Sequence, residues 1–391
     1  MPMQKRGESW IFVFTLLSAA ASLMSVAASE IFLPAACLLW IVLRPRRFEL
    51  PAYAWPLAAF MLTTVLSFVM SPDHSVGRHQ IGKFVLFPMG LLAANFVDDA
   101  RRVRLVFRVL LVAAAAEASV ALVQFVLKER RFLATQNLAD DPMAAFRVKG
   151  FMSHWMTFSG GQLLVWCAVI PLIMWLGRRW IVPFSLVGIG IVFSYTRSAW
   201  LGAVSGMVTA SLWIPKKQLV RILIPIVVAA LLASPFIYHR LALSLAGNFA
   251  PDYGRGVALK VGIGMVRDHP LFGVGLERVP REFFGYYRGG NIDAIYAGHL
   301  QNDFTQIAAE RGLICLAAFL WYLVSLYRSF WVFARRGSEL LRLTAISALC
   351  TLTGFLVMGL FEFNFGDSEP LILFLFLTSI PFAVAAKELR K

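Results

Sequence analysis

The sequence predicts an all-α polytopic membrane protein, and three observations carry that prediction. Hydrophobic residues make up 59% of the 391 residues and charged residues only 15%, against roughly 45–50% and about 25% in soluble domains. Mean hydropathy is +0.70, and the apolar residues fall in long runs, of which about 20 residues suffice to cross a hydrocarbon core. Basic clusters punctuate alternate connections between those runs, as the positive-inside bias requires.

Hydropathy gives about twelve runs in chain order: 10–27, 31–43, 52–69, 81–96, 103–126, 158–176, 181–195, 199–214, 220–238, 313–333, 343–361 and 371–386. The second, seventh and eighth are short for a perpendicular crossing. The basic start, Lys5 and Arg6, is followed by no small-residue cleavage site, so the first run reads as a retained span. With that terminus in the cytoplasm, every cytoplasmic connection carries a basic cluster. These are Arg44, Arg46 and Arg47; Arg101, Arg102 and Arg104; Arg178 and Arg179; Lys216 and Lys217; Arg335 and Arg336; and the tail Lys387, Arg390 and Lys391. Both termini are then cytoplasmic, and residues 1–391 form one transmembrane domain. Cys37, Cys167, Cys315 and Cys350 each lie inside an apolar run and read as packing residues, not disulfides or metal ligands.

The formal net charge of +15 would suggest nucleic acid in a soluble protein. Here part of it is the cytoplasmic bias. The rest lies on the opposite, periplasmic side, which suggests an anionic substrate and no nucleic acid. Three connections matter there: 128–157, the tight turn at Tyr195-Thr196-Arg197, and a long partly helical loop, 239–302. Within that loop, 257–266 is apolar around Lys260, and Asp268-His269-Pro270 ends it. A loop of such length is uncommon unless it has work to do.

The first connection carries Lys128, Arg130, Arg131, Arg147 and Lys149, the turn carries Arg197, and the long loop carries Arg240, Arg255, Lys260, Arg267, Arg278, Arg281 and Arg288. Arginine dominates, and its planar fork binds phosphate oxygens bidentately while staying charged in a dry site. The plainer reading is that long loops cross whatever their charge and pair their arginines with Asp252, Asp268, Glu277, Glu282 or Asp293. Arg197 has no acid near it in sequence, and charge between apolar runs is costly unless used. Lys83, beginning an apolar run, is either functional or snorkels to the interface.

The sharpest local pattern begins at His299: His-Leu-Gln-Asn-Asp-Phe-Thr-Gln-Ile-Ala-Ala-Glu-Arg-Gly. Asn302, Gln306, Ala309 and Leu313 fall at helical spacing, so the polar residues cap and enter a span. His299 then sits at a helix mouth, placed as a general base or as a structural histidine. His154 follows Arg147 and is expected to line the same cavity. Gly273-Val274-Gly275 reads as a tight turn, not a nucleotide loop. No carboxylate pair or Asp-x-Asp marks a metal site.

The stretch from Arg255 through Asp268-His269-Pro270-Leu271-Phe272-Gly273-Val274-Gly275 to His299 and Glu310-Arg311-Gly312 resembles the O-antigen ligase and polymerase superfamily. Leu300 stands where that pattern has Asn after the histidine, and Cys315 replaces its final glycine. The resemblance implies a GT-C-like glycosyltransferase architecture in the bacterial inner membrane. It implies transfer of O-antigen from undecaprenyl diphosphate to a sugar hydroxyl of lipid A–core, without cofactor or metal. His299 would be the base, and Arg197, Arg255, Arg147 and Lys83 would bind the diphosphate, with Glu310 and Asn302 in support. The protein O-oligosaccharyltransferases of the superfamily usually carry an additional C-terminal soluble region, whereas this sequence ends directly after its last run, and the single long loop late in the chain favours ligase over polymerase. A transporter of anionic lipid-linked glycan would more often show internal repeats.

Overall fold

The computed structural model describes residues 2–44, 48–135, 147–217, 220, 224, 250–289 and 297–390. Among them the chain is helical, with no strand. Its helices are α1 (Pro2–Ala21), α2 (Val26–Leu43), α3 (Ala54–Met70), α4 (Arg78–Gly82), α5 (Pro88–Phe96) and α6 (Ala100–Thr135). After the first gap come α7 (Trp155–Val169), α8 (Ile173–Leu176), α9 (Ile181–Phe193) and α10 (Arg197–Ser211). The remaining helices are α11 (Ala250–Asp268), α12 (Val279–Tyr286), α13 (Asp303–Arg336), α14 (Glu339–Gly359) and α15 (Ser368–Leu389). Six stretches are long and apolar enough to cross a membrane: Val26–Leu43, Ala100–Arg131, Trp155–Leu176, Asp303–Arg336, Glu339–Gly359 and Ser368–Leu389.

Every predicted run outside 220–238 overlaps a helix, and that run lies almost wholly outside the described residues. Two runs are not continuous. The 81–96 run divides into α4, a 3₁₀ turn at Lys83–Leu86, and α5, because Pro88 has no N–H to continue the ladder and begins a new helix instead. The 158–176 run breaks at Ile170–Leu172, around Pro171, for the same reason. Arg46, Arg47, Arg240 and Asp293 lie outside the described residues.

The core runs through the last three helices. α15 is buried along most of its length and packs on α5, α7 and α14. Phe319 packs against Phe60 and Phe365, with ring centroids 5.4 and 4.9 Å apart. The Tyr53 hydroxyl meets Ser379 Oγ at 2.6 Å, which satisfies both buried groups. α10 packs along much of α14. Gly202-x-x-x-Gly206 makes that approach possible: a Cβ on Gly202 would stand 2.6 Å from the Gly354 carbonyl oxygen. Small residues at this spacing let apolar helices touch backbone to backbone. The contact fixes Arg197, at the start of α10, beside the segment that leaves the end of α14.

Candidate functional site

The polar site is built around a break in α13. Asn302 caps the helix, its Oδ1 accepting from Thr305 N at 2.8 Å. The helix then stops being regular at Gly312, whose φ of 80° and ψ of 171° are non-helical. In an unbroken helix Leu313 N would donate to Ala309 O. Here it donates to Pro270 O at 2.7 Å. The carbonyls released are taken up by the same turn: Val274 N donates to Ala309 O at 2.8 Å and Gly275 N to Glu310 O at 3.1 Å. The Asp268-His269-Pro270 turn thus replaces one rung of the ladder. A Cβ at Gly312 would overlap the Leu271 carbonyl. Leu313, expected in phase with Asn302, lies beyond this break.

The two residues expected in support hold backbone. Glu310 is buried, and its Oε1 accepts from Glu277 N at 3.1 Å. Asn302 also donates through Nδ2 to Leu360 O at 2.8 Å. That second contact brings in the 360–367 segment, which joins α14 to α15. Phe365 N of that segment donates to the buried Asp303 Oδ1 at 3.0 Å.

Within this segment Glu362 is the hub. Its carboxylate is almost wholly buried, accepts from Arg255 Nη2 at 2.6 Å, and receives Ser198 Oγ at 3.4 Å. Burial pushes its pKa up to about 6, against the pull of Arg255, Ser198 and Arg147. It is therefore mostly ionised at neutral pH. Arg197 is half-buried next to Ser198 in the first turn of α10. The His299 ring lies 6.3 Å from the Phe363 ring. Its contacts with Gln301, to Nδ1 and Nε2, are both 3.4 Å, too long to commit the ring to one tautomer. Burial lowers the His299 pKa to about 4, with His154 and Arg255 adding to the effect. The imidazole is neutral at neutral pH, the form that takes a proton.

Arg147 and His154 lie in the 147–154 segment, which side chains of α6 hold. That helix has 36 residues, about 54 Å at 1.5 Å per residue, so it outruns a hydrocarbon core of about 30 Å. Glu117, Gln124 and Lys128 fall on one helical face. Gln124 Nε2 donates to Gly150 O at 2.7 Å, and its Oε1 accepts from Gly150 N and Lys149 N at 3.1 and 3.2 Å. Lys128 Nζ donates to Arg147 O at 2.6 Å. Buried Glu117 is held by Gln162 Nε2 at 2.8 Å. Arg147 lies over the Trp155 ring at 4.6 Å, and His154 lies on the same ring. Burial, then Arg147 and Lys149, lower the His154 pKa. Arg147 acts on both Glu362 and His154, and His154 acts on His299. His299, His154, Arg147, Arg255 and Glu362 are therefore one electrostatic cluster, with Arg197 at its edge.

Lys83 belongs to a different neighbourhood. Its ammonium donates to the Gly366 carbonyl, and the charges acting on it most are Asp367, Glu277, Arg311 and Glu369. Asp367 accepts from Thr157 Oγ1 at 3.0 Å, and burial raises its pKa. Glu277 faces His79 at 3.4 Å and accepts from Gly77 N at 3.0 Å. The sequence pattern offered no role for Glu362, Asp367 or Asp303. A signal was present: 360–367 returns, after the antiparallel pair α13 and α14, to the end of the bundle where His299 lies, and it carries two acids. Among the described residues no group of three or more His, Cys, Asp or Glu side chains is arranged to ligate a metal.

The family model described as O-antigen ligase matches residues 182–320, the stretch that runs from α9 through Arg197, Arg255, the 268–275 turn, His299 and Gly312. Over that stretch the chain is similar to the O-antigen ligase/polymerase superfamily, whose members are glycosyltransferase-like ligases and polymerases. No curated protein matches the chain.

Proposed function

We infer that the protein is an O-antigen ligase, moving a glycan from undecaprenyl diphosphate to a sugar hydroxyl of lipid A–core at the periplasmic face of the bacterial inner membrane. The observation that carries this reading is the convergence of Arg147, Arg255 and His154 on His299 and Glu362, with Arg197 alongside. In it the chain makes about twelve passes in a GT-C-like arrangement, with 220–238 as one of them, both termini cytoplasmic and the 239–302 loop outside.

The chemistry follows from the charges. The acceptor oxygen attacks the anomeric carbon and forms the new glycosidic bond. The bond from that carbon to the diphosphate oxygen breaks, and its electron pair stays with the diphosphate. Direct displacement of this kind inverts the anomeric centre. In this reading Arg147, Arg197 and Arg255 supply the fixed cations that the developing charge needs. The acceptor proton goes to the His299 imidazole. As the diphosphate becomes more negative, the imidazolium is favoured, which offsets the low starting basicity of His299. Lys83, the fourth cation expected at the diphosphate, stands among carboxylates instead.

The test is transfer by purified protein from an undecaprenyl diphosphate-linked glycan to lipid A–core, beside a second lipid-linked glycan as the competing acceptor. Elongation of the lipid-linked glycan with no product on lipid A–core would make the chain a polymerase. Transfer is expected to survive EDTA, because the guanidinium groups supply the positive charge. A strict requirement for added Mg²⁺ or Mn²⁺ would remove the arginines from that role.

A further inference from the structure

A cavity of about 380 Å³ opens between α2 and the broken stretch at Lys83–Leu86. It is within the size range of small-ligand sites. Its lining has two characters. Glu30, His79, Lys83 and Ser368 form a polar end; Pro34 and Val85 are among the apolar residues of the rest. The apolar part faces outward: Val85 is 55% exposed, and Ile31 and Leu38 on α2 are 68% and 62% exposed. An outward apolar helix surface on a membrane protein meets lipid. The cavity therefore joins a lipid-facing mouth to a polar end that touches the 362–367 segment.

The charge at that end does not fit a diphosphate. The Lys83 ammonium is engaged by the Gly366 carbonyl and lies among Asp367, Glu277 and Glu369, with Glu30 on the facing wall; against these carboxylates the other cation acting on it is Arg311. A further dianion would be repelled by carboxylates at this range. Hydroxyl groups fit: each donates to a carboxylate and accepts from an ammonium or a serine hydroxyl. The position also fits. Phe363, beside His299, and Gly366, beside Lys83, are three residues apart, at most about 10 Å of chain.

We propose that this cavity receives the sugar headgroup of the acceptor lipid, recognised through its hydroxyls, while the donor diphosphate stays on the arginine side of the 362–367 segment. This rests on the glycosyl-transfer reading above. Lys83 then orients acceptor and does not stabilise the leaving group.

The experiment uses full-length protein in nanodiscs, with donor and acceptor varied separately. Val85→Trp narrows the mouth from an exposed position, and Glu30→Gln removes a carboxylate at constant size. Val85→Trp is expected to raise the acceptor KM roughly tenfold, equivalent to about 1.4 kcal/mol, and Glu30→Gln by a smaller factor. The donor KM should stay at the wild-type value in both. A rise in donor KM, or no change in either constant, overturns the proposal. Calorimetric titration with deacylated lipid A–core oligosaccharide reads the same site without turnover. Binding to wild type that either folded variant weakens supports the assignment; equal affinity in wild type and both variants, or none at all, overturns it. Absence of any transfer by wild type, with that binding intact, would instead overturn the ligase reading alone.

Discussion

The two sides of the 362–367 segment hold opposite balances of charge. On the Glu362 side, one buried carboxylate faces Arg255 and feels Arg147, and two histidines stand close by. On the Gly366 side, one lysine faces three carboxylates. Among the described residues, the 362–367 segment separates arginines and histidines gathered around Glu362 from carboxylates gathered around Lys83, on which Arg311 also acts. The difference teaches how two amphiphilic substrates can meet without exchanging places. On the proposed reading, a diphosphate would suit the first region and a hydroxylated headgroup the second. His299, on the Glu362 side and beside Phe363, would take the acceptor proton where the two meet.

The comparison breaks at once if His299 is not the base. His299→Ala is expected to lower transfer by at least 10²–10⁴-fold, the usual worth of a positioned base, with donor affinity kept. Near-normal turnover of the purified variant would reject the role. The pH profile is a gentler probe of the same point. The base works as neutral imidazole, and burial lowers its pKa to about 4. Activity should therefore hold as pH falls below the ordinary histidine range and drop only as it nears that value. Because kcat/KM reports the free enzyme, a wild-type acid limb in kcat/KM near 6.5 would show that His299 is solvated and not set in the cluster.

Next in size are the arginines. Arg197 and Arg255 should be far more sensitive than Arg130, Arg131 or Arg288. Arg130, Arg131 and Arg288 are exposed, where water screens them. Arg→Lys keeps the charge and loses the bidentate fork. A desolvated phosphate contact is worth roughly 1.5–3 kcal/mol, or about 10- to 150-fold. Arg255→Ala also strips Glu362 of its partner, so its loss should exceed that of Arg255→Lys and include a lower unfolding midpoint. Transfer rates at matched expression check the series. Equal, mild losses at all five positions would mean a diffuse field and no site.

Much of this was legible in the residues, and the reason for the rest is physical. Apolar runs specify helices because the bilayer leaves the backbone no other way to satisfy its polar groups. The turn at Asp268-His269-Pro270 was readable for the same kind of local reason: proline stops a helix. His299 at a helix mouth followed from the capping pattern at Asn302. What did not show was partnership. Arg255 and Glu362 are 107 residues apart, and nothing local to either announces the other. Lys83 looked equivalent to the arginines because a sequence gives sign but not surroundings. Gly312 was read as part of a continuous helix, since its break is sustained only by the distant Pro270 carbonyl. Gly202-x-x-x-Gly206 was a visible signal for the α10–α14 contact that fixes Arg197.

The smallest effect tests whether the arginine side is assembled independently of the lysine side. Gln124 touches no charged group of the cluster, yet it holds Lys149 and Gly150 by three backbone hydrogen bonds of 2.7–3.2 Å. Gln124→Leu keeps the bulk and removes all three. The loss is not total, because Lys128 still holds the Arg147 carbonyl and Trp155 still carries the Arg147 guanidinium. Water also replaces the partner at the exposed Lys149 amide. The net cost should then be that of one hydrogen bond, about 1 kcal/mol, or about fivefold in affinity. It should fall on the donor KM, since Arg147 is displaced while His299, carried by α13, is not. Neither kcat nor the acceptor KM should move. Lys128→Met, which frees the same backbone, should add less than independently to Gln124→Leu, because both changes release one segment. A change in acceptor KM, or a fall in kcat at constant donor KM, would show that the 147–150 segment does not serve the arginine side alone, and the division into two regions would fail.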